Sequence, residues 1–412
     1  MAGNAEFLVG LDIGTSNIKA VAAELSEGTD GKPLVNVIGA GIVPSRGLRK
    51  GVVINIEGTV SSIGEAISQT EKISGHEIRN VLCTISGSHL KGISSDGVFA
   101  VRRGEVSRFD IDKVIEAARA VRISMDREIL HVLPQEFIID GQDGIKDPLG
   151  MSGVRLEAKV HIVTGSVSSA QNIVKCANRC GLGVSDIMCA ALSSASSVLK
   201  EDEQELGVCL LDIGGGTTDI IVFKGGSVRH ISVLPVGGNH LTNDIAAGLR
   251  TPIIAAEKLK ETQGVGLSSL AGNGSMVEVA ATGGRSSRLV PQQDLARIIE
   301  PRLSEIFTLV QRELIKSECD TLLTAGVVLT GGTSQLNGIE EAAREILDLP
   351  VRTAVPAGIK GLTDIVSRPE YAGAVGLVVR GANMSDQKSS HKLTFGMGKA
   401  LKKAGNWFSS HF

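Results

Sequence analysis

The sequence predicts an α/β protein of two large domains, with a small α+β module inserted in the first and an amphipathic helix closing the chain. Three observations predict it. LDIGTSNIKA at residues 11–20 and LDIGGGTTDI at 211–220 are nearly the same words, 200 residues apart, and each opens a run of apolar strands. A length of 412 residues exceeds what one hydrophobic core normally holds and suits two. The last twenty residues put large apolar side chains and lysines on opposite faces of a helix.

Composition narrows the class. Hydrophobic residues make up 42% and charged residues 21%, the range of an ordinary folded protein. A formal net charge of −3 provides no basic surplus for a phosphate backbone, so no nucleic-acid partner is expected. The glycines, 50 in all, fall at turns after apolar runs without a collagen-like period. Cys83, Cys176, Cys180, Cys189, Cys209 and Cys319 form no CxxC pair and read as small buried residues in a reducing compartment. The chain opens directly on a strand pattern, without a secretory signal. No run of about 18 apolar residues could span a bilayer. A cytoplasmic location is expected.

The elements follow in order. Strands are expected at 7–13, 18–24 and 34–43, a helix at 59–74 and a strand at 81–86. Then the register changes: a Gly- and Ser-spaced strand at 90–101, a charged helix at 111–125, a strand at 128–140, a loop at 141–153 and a strand at 155–165. This is a βαβ-type module entered near residue 87 and left near 163. Helices are expected at 168–180 and 189–199. The second domain opens at Gly207 as the first did, with strands at 207–213, 218–223 and 227–234. Helices at 242–249 and 251–262, a Gly/Ser-rich stretch at 267–275 and a short strand at 277–281 precede a long helix at 291–316. Strand 326–330, the turn GGTSQ and helix 338–347 complete the domain. Residues 380–391 are polar with Gly and Ser, which reads as a flexible tether.

Each repeated word is a strand ending in Asp-Ile-Gly, a turn of small residues and a second strand. Such a turn lets the backbone approach an anion and aim its N–H groups at it. The aspartate at the strand end suits a magnesium ion, bound directly or through water, that shields phosphates. Lys19 lies seven residues past Asp12, placed to return toward the phosphates, and Thr217, Thr218 and Asp219 add polar groups to the other turn. Two facing domains, each headed by such a hairpin, make a cleft for one ligand. The stretch VVLTGGTSQLNGI reads as strand, Gly-Gly turn and helix, a seat for a base and sugar. Glu257 and Lys260 share one helix face, which equally fits a solvated ion pair.

The set DIGTSNIK, DIGGGTTD, VGGN, AEKLK and LTGGTSQ resembles the actin-like ATPases, which include actin, heat-shock chaperones, sugar kinases and MreB. VPSRGLRKGVVINIE, KDPLGMSG, ELGVCLLDIGGGTTDI and IEPRLSEIF resemble the FtsA family of bacterial cell-division proteins in particular, over most of residues 7–380. The resemblance implies an α/β, actin-like (ribonuclease H-like) two-domain fold. Its subdomains would be 1–86 with 164–197, the insertion 87–163, 198–241 with 306–380, and a small unit at 242–305; a linker at 381–392 and a helix at 393–412 would follow. It implies that ATP with magnesium is bound. Asp12, Gly14, Thr15, Asn17 and Lys19 would form the first phosphate loop, and Asp212, Gly214, Gly215, Gly216, Thr217 and Asp219 the second. Asp12 and Asp212 would face the metal, Gly238 and Asn239 the phosphates or sugar, Glu257 and Lys260 the ribose, and Gly331, Gly332 and Thr333 the adenosine. Where chaperones and MreB carry a glutamate that aligns the attacking water, this chain reads DIMCAALSSASS, with Cys189, Ala190 and Ala191. Losing such a base costs roughly 10²–10⁴ in rate. No catalytic residue is assigned, and ATP hydrolysis is expected to be weak or absent.

The end of the chain has its own pattern. On a helix from Leu393, the residues Leu393, Met397, Leu401, Trp407, Phe408 and Phe412 share an apolar arc, while Lys402 and Lys403 lie opposite. That is the design of a helix lying in the plane of an anionic membrane surface. One tail would bind reversibly; many on one polymer would bind far more tightly. The family resemblance implies an adaptor that self-assembles and tethers FtsZ filaments to the inner face of the cell membrane at the division site, recruiting later divisome membrane proteins. The FtsZ C-terminal tail would meet the IEPRLSE helix at Glu300, Arg302 and Glu305, residues that fit a solvated helix face equally well. A sugar kinase has no use for such a tail, and the roughly 30 residues after Arg380 are too few for a chaperone's peptide-binding domain. An MreB-like filament protein explains the clamp but not the inserted module and the C-terminal helix together.

Overall fold

The computed structural model describes residues 6–28, 33–283 and 286–391. The helix expected at 393–412 therefore lies outside the described residues. Two sheets form the frame. The first runs in the order Gly183–Cys189, Asn80–Ile85, Glu6–Ile13, Asn17–Glu27, Pro33–Pro44, Ile359–Gly361. The second runs Ser227–Leu234, Thr218–Lys224, Val208–Ile213, Val327–Thr330, Val351–Thr353. Both contain an antiparallel three-strand meander extended by two parallel strands, so the duplication visible in the hairpins extends to whole sheets. Central strands such as Val208–Ile213 are apolar without alternation because helices cover both faces.

Helix Ile56–Ser74 covers one face of the first sheet, packing Ile63 and Ala66 toward Leu11, Ala20 and Ala22. It begins where the Asn55 side chain accepts the Gly58 N–H at 3.0 Å and ends at Gly75, whose φ of 73° is the left-handed cap that glycine adopts freely. The opposite face is covered by helix Ala372–His391, which buries Ala374, Val375 and Val378 against Val21, Ala23, Val35 and Val37. In the second domain, helices Gly238–Leu249, Gln292–Lys316 and Ile339–Leu347 share one core with the sheet.

The end of the chain departs from expectation in two ways. Residues 359–380, expected in the second domain, belong to the first: Ile359–Gly361 pairs in parallel with Val35, Asn36 and Val37. Residues 381–391, expected as a linker, continue helix Ala372–His391. The reason is packing. No proline interrupts the stretch, Ala382 is buried, and a Cβ on Gly381 would press on Leu82 and Leu8, so this glycine serves close approach and not flexibility. Helix Gln292–Lys316 also runs unbroken across the boundary expected at 305.

The inserted module is a four-stranded antiparallel sheet in the order Lys91–Ala100, Arg155–Ser166, Arg127–Ile139, Gln142–Ile145, with helix Arg108–Arg119 on one face. Its first and second strands in chain order, Lys91–Ala100 and Arg127–Ile139, run parallel with Arg155–Ser166 between them, a split form of the expected βαβ unit. The expected loop at 141–153 contains the fourth strand, because Gln142–Ile145 pairs back on Phe137 and Ile139. All six cysteines are free, and burial pushes the Cys83 and Cys189 thiols up to about 12. No helix among the described residues is long and apolar enough to cross a membrane.

Candidate functional site

The two repeated hairpins are equivalent position by position. Asp12 pairs with Lys19 and Ile13 with Ile18 in one; Asp212 pairs with Asp219 and Ile213 with Thr218 in the other. The same backbone bond closes each turn, Gly14 N–H to Asn17 O at 3.2 Å and Gly214 N–H to Thr217 O at 2.9 Å. The turns belong to different domains and touch. The Ser16 hydroxyl donates to the Asn239 side chain at 3.0 Å, and a Cβ on Gly215 or Gly216 would collide with Ser16 or Thr15. Together they border a cleft of about 380 Å³, a normal size for a small-molecule site.

Charge inside the cleft is uneven. Lys19 lies 3.1 Å from Asp12 and is nearly buried. The equivalent position in the second hairpin holds a carboxylate, Asp219, which accepts from the Ser86 hydroxyl at 2.8 Å. Burial pushes Asp219 up to about 7, and the charge of Asp212 adds to it while Ser86 and Thr217 oppose. Burial likewise raises Asp212 to about 6, against the hydrogen bond that Ser194 donates at 2.5 Å. Thr84 binds Asp12 at 2.7 Å and receives the Ile13 N–H at 3.0 Å, which fixes the first strand end. A polyanion placed among Asp12, Asp212 and Asp219 with one lysine needs further positive charge. Oxygen donors of this kind fit magnesium held through its waters and the anion's own oxygens. No group of three or more His, Cys, Asp or Glu among the described residues forms a metal cage by itself.

The far end of the cleft is built by the second domain. Lys260 is buried, with Nζ 2.8 Å from Glu257, 3.0 Å from the Thr242 hydroxyl and 3.3 Å from Gly238 O, so this pair is more than a solvated one. Thr242 also donates a short bond to Glu257. Gly331, Gly332 and Thr333 border the same space, and Thr333 donates to Gly214 O at 3.0 Å. Of the expected ligand-facing residues, Gly216 and Gly238 alone do not line the cleft. They act one layer behind, where a side chain would strike Thr15 or Thr333. The reading of the sequence missed Thr84, Ser86, Glu261, Gln335 and Glu370, all lining residues. The word TISGS at the end of an apolar strand was the available signal for the first two.

Ala190 lines the cleft at the start of helix Ala190–Val198, which contains no carboxylate. Glu300, Arg302 and Glu305 sit on helix Gln292–Lys316, away from the cleft. Glu300 accepts the Ser268 N–H at 2.9 Å, and Arg302 binds Asp244 at 2.6 Å and pairs with Glu305.

A family model described as cell division protein FtsA matches residues 209–376, and one described as the SHS2 domain inserted in FtsA matches residues 87–164, close to the expected insertion. The chain is similar to cell division protein FtsA of Pseudomonas aeruginosa, with 47% identity over 99% of this chain and 98% of that one. It is also similar to FtsA of Neisseria meningitidis, with 47% identity over 89% and 88%, and of Escherichia coli, with 40% over 100% and 99%. Among solved structures, a PilM–PilN type IV pilus biogenesis complex aligns with a TM-score of 0.64 at 18% identity, covering 91% of this chain and 98% of that one. MreB5 of Spiroplasma citri bound to ADP aligns at 0.52 and 14%, covering 95% and 99%. At such identities these structures speak for the fold alone, and they bear out the actin-like one.

Proposed function

The chain belongs to the FtsA family of cell-division proteins, and on that premise we propose that it binds ATP with magnesium and works as a self-assembling adaptor. It tethers FtsZ filaments to the inner face of the cytoplasmic membrane at the division site and recruits later membrane proteins of the divisome. The observation that carries the nucleotide reading is the pair of equivalent hairpins from separate domains meeting across one cleft, with Lys19 on one and Asp212 and Asp219 on the other. The MreB5 neighbours, bound to ADP and to AMPPNP, support the same use of the fold. Asp12 and Asp212 would face the magnesium, which supplies charge neutralisation at the phosphates. Glu257 and Lys260 would hold the ribose, and Gly331, Gly332 and Thr333 the adenosine. Hydrolysis is slow at most, because Ala190 stands where a carboxylate would aim water.

The membrane part rests on the sequence of residues 393–412, whose lysines and large apolar side chains suit an anionic surface. The FtsZ tail would dock at Glu300, Arg302 and Glu305, of which Glu305 is exposed. Co-sedimentation tests the adaptor: the full chain, ATP, anionic vesicles and FtsZ, against a variant ending at His391. The full chain should carry FtsZ into the vesicle pellet and the shortened one should leave it in solution. Equal pelleting of both would remove the tail from the account.

A further inference from the structure

The inserted module leaves and re-enters the chain in the first domain, yet much of its polar bonding goes to the second. Gln135 Nε2 donates to Val228 O at 2.6 Å, and the Ser227 hydroxyl donates to Gln135 O at 2.9 Å. Lys146 lies 2.7 Å from Glu205. His161 is 2% exposed and stacks edge-on against His230 at 6.5 Å between centroids, and Gly92 packs against both the His161 ring and Ile231 O. Apart from the Lys146–Glu205 pair, these contacts converge on strand Ser227–Leu234, the edge of the second sheet. Toward the first domain, the Cys189 N–H donates to His131 Nε2 at 3.0 Å. The module thus bridges both domains.

The same edge strand leads into the cleft. It ends three residues before Gly237; the Thr218 hydroxyl donates to Val236 O at 2.9 Å, and the N–H groups of Gly238 and Asn239 donate to Gly214 O and Gly215 O at 2.9 and 2.8 Å. One continuous backbone therefore carries the module's seat at one end and the second phosphate turn's support at the other. We propose that the seating of the inserted module and the occupancy of the cleft are thermodynamically linked through strand Ser227–Leu234. A seated module goes with the closed contacts Ser16–Asn239 and Ser86–Asp219, so it favours ligand, and ligand in turn favours the seated module. The inference rests on the nucleotide reading.

The test uses the full chain, its Gln135→Glu variant, which sets a carboxylate against Val228 O, and its Gly92→Ala variant, which wedges His161 from the edge strand. Calorimetric titration with Mg-ATP should show each variant binding about fivefold or more weakly than wild type, the lower end of ordinary coupling. Amide exchange in wild type should slow at Ser227–Leu234 and Arg127–Ile139 when Mg-ATP is added. Wild-type affinity in folded variants, or exchange at both strands unchanged by bound Mg-ATP, overturns the linkage and leaves nucleotide binding standing. If neither variant folds, the wild-type exchange decides alone. A wild type that binds no nucleotide removes both readings together.

Discussion

Lys19 and Asp219 hold equivalent positions opposite Asp12 and Asp212, and this single asymmetry orients the cleft. With one buried ammonium among three carboxylates, Lys19 is the side chain best placed to meet an anion. Lys19→Ala should weaken Mg-ATP binding by about tenfold to a hundredfold, the worth of one charge-assisted hydrogen bond; calorimetry reads it, and an unchanged affinity would exclude the lysine from the site. The hairpin residues were readable because duplication writes them out as words. Thr84 and Ser86 had only the strand-end word TISGS to mark them, and Ser194 had no mark at all, since a lone hydroxyl acquires meaning only when folding sets it beside a carboxylate.

At the scale of elements, strand Arg155–Ser166 buries one histidine and strand Arg127–Ile139 half-buries another. His131 accepts the Cys189 N–H and so must stay neutral; burial holds it down at about 4, and Arg380 adds to that. Burial lowers His161 to about 4 as well. Both folded values lie below the ordinary 6.5, so their contribution to stability is complete above pH 6.5 and is lost as pH falls toward 4. Each histidine takes about 2 kcal/mol from stability between pH 7 and pH 5, while Asp212 and Asp219, raised on folding, act in the opposite direction. Chemical denaturation at the two pH values should therefore show a change for His161→Leu that is more favourable than the wild-type change by that amount. An identical change in that variant would refute the assignment. The last helix makes a different prediction. Gly376 faces the Ser193 carbonyl so closely that a Cβ has no room, and Gly376→Ala should cost about 1–3 kcal/mol in a melting experiment. That helix, with strand Ile359–Gly361, was the part of the fold least legible in advance. Its partners Val21, Ala23 and Val35 lie at the other end of the chain, and no local pattern announces a pairing of that range.

For the whole molecule, the two-domain frame followed from length and from the repeat. The relation of the module to the second domain did not, because Gln135 and His161 look like ordinary strand residues until Ser227–Leu234 is beside them. The cleft that the frame creates lacks a carboxylate at Ala190, so phosphate release by purified protein should stay below about one per second per protomer, slow for an enzyme. On the proposed reading, both domains grip one nucleotide. Calorimetric titration of the full chain with Mg-ATP settles whether they do, beside one variant in each hairpin, Lys19→Ala and Gly215→Val. Wild type should bind one nucleotide per chain, and either substitution alone should weaken binding markedly. Folded wild-type protein that gives no binding heat, or a hairpin whose alteration leaves affinity untouched, would contradict that reading.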